Sequence, residues 1–168
     1  VDINPGMLAV ARRTTPAIDW REGDAEALPC EDSSFDAVVS QFGLMLFTDP
    51  GKALREMQRV LKPKGRLALA VFGSIDMLPA YAALSNIYGY VVDTKVGDAL
   101  QMPFSMGDEE KLKTLFNESG FHSASINTHF GKAHFESVRD MVLSDVLGWF
   151  PFAGIQVDDS QLETVVSE

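Results

Sequence analysis

Apolar and polar positions change their spacing several times along the chain, and each change predicts an element. Asn4-Pro5-Gly6 leads into Met-Leu-Ala-Val-Ala-Arg-Arg at 7–13. Asn4 suits the cap of a helix, where its side chain takes free N–H groups, and Pro5 suits the first helical position. Val1-Asp2-Ile3 then reads as the end of a strand. Residues 18–22 alternate apolar and polar, as a short strand does. Residues 35–39 predict a second strand and residues 67–72 a third. The third, Leu-Ala-Leu-Ala-Val-Phe, is apolar throughout, the pattern of a parallel strand covered on both faces. Between these two, Asp49-Pro50 opens a helix with Ala53, Leu54, Met57, Val60 and Leu61 on one face. Lys62-Pro63-Lys64-Gly65 stops it, because proline disfavours helical geometry in the residue before it. Strands alternating with amphipathic helices predict an α/β fold with a mostly parallel sheet.

From Ser74 the pattern changes. Residues 75–106 are rich in Met, Tyr, Leu and Ala, and predict a helix carrying Tyr81, Leu84, Ile87, Tyr88 and Val91. Asp108-Glu109-Glu110 opens another helix, with Leu112, Leu115 and Phe116 inward and Gly120 as its stop. Residues 121–135 alternate through Ile126, His129 and Phe130, and Gly131 favours a turn, so a late antiparallel hairpin is expected. A helix follows at 137–147 and another through Leu162, Val165 and Val166.

Composition narrows the classes. At 168 residues, 46% hydrophobic and 23% charged, the chain suits a folded soluble domain. It has no apolar run near the roughly 20 residues of a membrane span and no signal-peptide pattern at its start, so a cytoplasmic location is expected. Lys and Arg number 14 against 24 Asp and Glu, for a net charge of −10, which argues against a nucleic-acid partner. A single cysteine, Cys30, excludes an internal disulfide and a cysteine-based metal cluster, and no metal site is expected.

Candidate chemistry lies at strand ends. Ligands of open parallel sheets bind beyond the carboxyl ends of the strands. Asp2 ends the first predicted strand, Asp24 follows the second, and Ser40, Gln41 and Phe42 follow the third. A carboxylate there can accept from both hydroxyls of a ribose, although either aspartate alone also suits a turn. Asp24 is expected at the mouth of a buried strand, where an unpaired carboxylate is costly.

The motifs in order resemble the class I S-adenosylmethionine-dependent methyltransferases, in particular the small-molecule group of ubiquinone and menaquinone biosynthesis. The resemblance rests on Val1-Asp2-Ile3-Asn4-Pro5-Gly6-Met7-Leu8, Gly23-Asp24-Ala25-Glu26-Ala27-Leu28-Pro29 and Phe35-Asp36-Ala37-Val38-Val39-Ser40. It continues through Phe42-Gly43-Leu44, Asp49, Ala53-Leu54, Glu56, Arg59-Val60-Leu61-Lys62-Pro63-Lys64-Gly65-Arg66-Leu67, Pro103-Phe104 and Leu115-Phe116-Asn117-Glu118-Ser119-Gly120-Phe121. It implies a Rossmann-like sheet flanked by helices and S-adenosylmethionine as cofactor. Asp2 would hold the ribose, with Ile3 and Met7 against the adenine. Asp24 and the N–H of Ala25 would read the adenine edge, and Ser40, Gln41 and Phe42 would lie by the methionine portion.

The family's first strand and glycine-rich loop should precede Asp2, so the sequence reads as a fragment lacking them. The expected division is a partial methyltransferase domain over 1–150, with a substrate-side helical insert at 74–106, and a helix or tail cut short at 151–168. Open strand edges then predict self-association. Within the insert and beside it, Phe72, Tyr81, Tyr88, Met102 and Phe104 are candidates to line an apolar or aromatic acceptor's pocket, or equally to pack as ordinary helical cover. His122, His129 and His134 fall on the expected hairpin and suggest no general base. The alternatives are a non-catalytic adenosine-binding or interaction module of the same fold, and a nicotinamide-dependent oxidoreductase. Neither accounts better for Asp2 together with Gly23-Asp24-Ala25.

Overall fold

Asn4 accepts from the N–H groups of Gly6 and Met7 at 2.8 and 3.1 Å and so starts helix α1, Pro5–Thr14. The computed structural model describes residues 1–168 and comprises two units, Val1–Val71 with Glu109–Ser125, and Phe72–Asp108 with Ile126–Glu168.

In the first unit, strands β1 (Phe35–Gln41) and β2 (Leu61–Ala70) pair in parallel. Phe35 faces Leu61, and the register then jumps so that Ala37 faces Arg66 and Ser40 faces Leu69. The jump is the Lys62-Pro63-Lys64-Gly65 excursion, where Lys64 takes a left-handed backbone at φ 70°. Helix α2 (Pro50–Val60) joins the strands, with the Asp49 side chain accepting from Lys52 N–H at 2.8 Å. Its expected apolar face is buried: Ala53, Leu54, Met57 and Val60, with Leu61 at the start of β2. The leucine, methionine and valine side chains contribute about 1.5–3 kcal/mol each when fully buried.

Helix α5 (Glu109–Glu118) packs on α2, with Leu112 buried. Gly120 ends the turn at φ +91°, while Gln58 donates to its carbonyl at 2.8 Å.

Three expectations about strands fail. Val1-Asp2-Ile3 and residues 18–22 form no strand and meet at a single parallel bridge, Asp2 with Glu22. Asp2 N–H donates to Arg21 O and Gly23 N–H to Asp2 O, both at 3.1 Å, and the ladder stops there because no further strand extends it. The β1–β2 pair is not covered on both faces, and Val39 is 74% exposed. Residues 121–135 contain no strand and lie largely exposed, so the late hairpin is absent. Their alternation spans too few apolar positions to give a pleated face something to bury.

The second unit is helical: α3 (Pro79–Val91), α4 (Thr94–Gln101), α6 (Val138–Ser144) and α7 (Asp159–Ser167). The single helix expected within 75–106 is divided, because Asp93 caps a new start by accepting from Lys95 N–H at 2.8 Å. Leu84, Tyr88, Val96, Leu100, Val142, Phe150, Leu162 and Val165 form the core. The Tyr88 ring stands edge-on to Phe150 with centroids 4.9 Å apart. One π-helical turn, Asp145–Trp149, continues α6. No helix is long and apolar enough to cross a membrane.

Candidate functional site

A cleft of about 640 Å³ runs along β1, from Phe35 past the strand's carboxyl end, and its lining includes Val1, Asp2 and Ile3 together with Gly23, Asp24, Ala25 and Glu26. Ser40, Gln41, Phe42 and Gly43 line it where β1 ends. Its volume falls in the range of about 300–1,000 Å³ usual for small-molecule pockets.

Each wall is held by local bonds. Asp2 Oδ1 accepts from Asn4 N–H at 2.7 Å, and Asp24 Oδ1 accepts from Glu26 N–H at 2.8 Å. The second oxygen of each carboxylate carries no bond to the protein and remains available to a ligand donor. Asp24 is exposed at the rim and not at the mouth of a buried strand, so its charge stays solvated and the expected burial cost does not arise. Gly23 is needed for close approach: a Cβ there would sit 2.7 Å from the Pro29 ring.

Phe42 takes a left-handed backbone, φ 53°, directly after β1. A bulky residue rarely adopts it, and such strain concentrates at functional sites. Phe42 N–H donates to Ala70 O at 2.8 Å, which fixes the turn.

A charged clamp behind the Asp24 loop went unread in the sequence. Arg59 Nε donates to Glu56 Oε1 at 2.7 Å, and its Nη atoms reach Leu28 O, Cys30 O and Asp32 Oδ1 at 3.1, 2.8 and 2.6 Å. Glu56 Oε2 accepts from Leu28 N–H at 2.8 Å. Hydrogen bonding to Arg59 holds the Glu56 carboxyl below its ordinary pKa, and the bond to Glu56 raises that of Arg59. The available signal was the Glu-x-x-Arg spacing, which places both side chains on one helix face.

Of the expected cofactor residues, Asp2, Ile3, Asp24, Ala25, Ser40, Gln41 and Phe42 all line this cleft. Met7 does not: it is 54% exposed on α1, one residue before the helix turns Leu8 inward.

Of the expected acceptor residues, Phe72 and Tyr81 both contact Phe104, with ring centroids 5.6 and 5.5 Å apart. Tyr88 belongs to the helical core and is fully buried. Met102 is exposed and stands in the short 3-10 turn with Phe104.

The helical unit also holds a residue that no sequence pattern marks. Asp145 is buried, its Oδ2 has no hydrogen-bond partner, and burial lifts its pKa to about 7. Enclosing a polar group without a partner costs about 1–3 kcal/mol.

An acid-rimmed cleft past a parallel strand suits a nucleoside, and comparison with known proteins gives the class. Residues 1–69 match the family model of a methyltransferase domain. The matched stretch begins with the Asp2 wall and ends within β2. The chain is 46% identical over 88 residues to the demethylmenaquinone methyltransferase of Renibacterium salmoninarum, covering 52% of this chain and 35% of that protein. It is 34% identical over 141 residues to the ubiquinone/menaquinone biosynthesis C-methyltransferase of Pectobacterium atrosepticum, covering 74% of this chain and 56% of the relative. The corresponding protein of Pasteurella multocida is 36% identical over 129 residues, 73% of this chain and 46% of the relative. The chain therefore spans about half the length of the curated relatives it matches. The resemblance to class I methyltransferases, whose methyl donor is S-adenosylmethionine, holds.

Proposed function

We propose that the protein containing these residues transfers a methyl group from S-adenosylmethionine to a carbon of a small quinol-type ring. The observation that carries this reading is the meeting of Asp2 and Asp24 in one cleft alongside β1.

The residues present suit the adenosine half of the donor. Asp2 offers its second carboxylate oxygen to ribose hydroxyls, Asp24 accepts from the adenine amino group, and Ile3 packs against the base. The backbone N–H of Ala25 faces a ring nitrogen. Ser40, Gln41 and Phe42 are left for the methionine end, where no Lys or Arg lines the cleft. The edge of β1 away from β2 carries no ladder, and the sheet stops there. A further strand on that edge, ending in a glycine-rich loop, would supply the missing N–H donors for the methionine carboxylate.

The donor supplies a methyl group on positively charged sulfur, so displacement needs alignment more than acid–base assistance. The first unit's part is to fix the donor's adenosine. We assign the acceptor's surroundings to the helical unit, with Phe72, Tyr81 and Phe104 as its aromatic surface. The relatives named for quinone biosynthesis support a flat, apolar ring as acceptor.

Two measurements on the full-length protein test this. Calorimetric titration with S-adenosylhomocysteine is expected to give a dissociation constant in the micromolar range. Incubation with labelled S-adenosylmethionine and a naphthohydroquinone lacking the ring methyl is expected to transfer label to carbon. Absence of both would refute the assignment.

A further inference from the structure

We propose that Asp145 is the hydrogen-bond anchor for a hydroxyl group of the methyl acceptor, a role that rests on assigning the acceptor's surroundings to the helical unit. The other enclosed polar groups of that unit are partnered. Ser85 Oγ donates to Gly97 O at 2.9 Å and accepts from Gln101 at 3.0 Å. Trp149 Nε1 donates to Ala99 O at 2.8 Å, and Tyr88 OH reaches Val142 O at 3.4 Å. Asp145 Oδ2 alone is enclosed with no partner. Native proteins satisfy nearly all such atoms, and the exceptions concentrate where a ligand supplies the missing bond.

The surroundings narrow what that ligand is. Asp145 forms no ion pair, and burial is the one cause of its raised pKa, so a cation is not its partner. A carboxyl held near neutrality can both donate and accept, which matches a phenolic or quinolic hydroxyl. Asp145 lies within electrostatic reach of Tyr81, whose ring meets Phe104, which in turn meets Phe72. A carboxyl near a run of aromatic rings suits a flat ring bearing a hydroxyl, with π faces for the ring and one polar contact for the substituent.

The local backbone is also unusual. Asp145 opens the π-helical turn that ends at Trp149, closed by Phe150 N–H donating to Asp145 O at 2.9 Å. A π turn widens the helical ladder and so redirects side chains that regular geometry would place elsewhere.

The test uses the full-length protein and two probes, a naphthohydroquinone and its dimethyl ether, which has the same ring but no hydroxyl to donate. Wild-type protein is expected to bind the hydroquinone more tightly by about tenfold, the value of one hydrogen bond to a buried partner. Asp145→Leu is expected to abolish that preference, leave S-adenosylhomocysteine affinity unchanged and raise the thermal midpoint. Asp145→Ala, expected to behave alike in binding, serves if leucine disturbs folding. Gain of stability with loss of hydroxyl preference is an outcome that a merely structural aspartate does not produce. Equal preference in wild type and variant, or no preference in wild type, overturns the assignment. Failure of the wild type to bind S-adenosylhomocysteine sinks the methyl-transfer reading instead, while the hydroxyl preference still decides the role of Asp145.

Discussion

Arg59 and Glu56 are joined twice, Nε to Oε1 at 2.7 Å and Nη2 to Oε2 at 2.8 Å, and the pair grips the loop that carries Asp24. Glu56 takes the Leu28 N–H while Arg59 takes the Leu28 and Cys30 carbonyls, so one helix face satisfies three backbone groups of an irregular segment. Removing either partner leaves the other charge beside polar backbone that it orients only as part of the pair. Arg59→Ala is expected to speed amide exchange at Leu28 by about tenfold, while the β1–β2 amides keep their protection. Exchange at Leu28 unchanged from wild type would contradict the clamp.

The two rim carboxylates predict separable losses of donor affinity. In the full-length protein, Asp24→Ala and Asp2→Ala are each expected to weaken S-adenosylhomocysteine binding by about 1–3 kcal/mol. Met7→Ala is expected to leave affinity as it is, since Met7 lies outside the cleft. Calorimetry on the three variants distinguishes the geometry of the cleft from the plain sequence resemblance, which included Met7.

Asp145 makes stability depend on pH in a direction opposite to that of most carboxyls. Its folded pKa, about 7, lies above the ordinary value of 3.8, with Tyr81 and Tyr88 the titratable groups within its reach. Between those two values the folded state holds a proton that the unfolded state has released. Its contribution is therefore complete below about pH 4 and is lost as pH rises through 7. The slope is at most about 1.4 kcal/mol per pH unit, the limit for one proton. Urea unfolding across this range should show the decline in wild type and a flatter curve in Asp145→Asn; parallel curves would contradict it.

Gly120 predicts a backbone effect. At φ +91° an added Cβ pays the left-handed penalty and would lie 2.4 Å from the Gln58 amide. Gly120→Ala is expected to cost about 1–3 kcal/mol in chemical unfolding, with the Gln58 bond to its carbonyl lost.

Much of the helical architecture was legible because its signals are local. Asn4-Pro5, Asp49-Pro50 and Gly120 each act within a few residues, and the structure uses them as cap, first turn and stop. Strands are another matter. Residues 18–22 alternate correctly, yet a strand exists only where a partner extends it, and the partner is not encoded in the same few residues. The same gap misled the reading of residues 121–135. In the site, Asp2 and Asp24 were legible from position alone, since each follows an expected strand end. Tyr88 was not: an aromatic residue on an apolar helix stripe looks the same whether it lines a pocket or fills a core, and Phe150, far along the chain, decides which. Asp145 left no trace, since its enclosure comes from the packing of other helices around α6.

Glu26, beside the rim aspartate, accepts the N–H of Asp49 through Oε1 at 2.8 Å, and Asp49 is the residue that starts α2. On the proposed reading, an adenine that settled the rim would bear on the opening turn of that helix through this bond. Solvent exchange at Lys52, whose N–H reports the same start, becomes a remote gauge of occupancy, readable without a label on the ligand or a probe in the cleft.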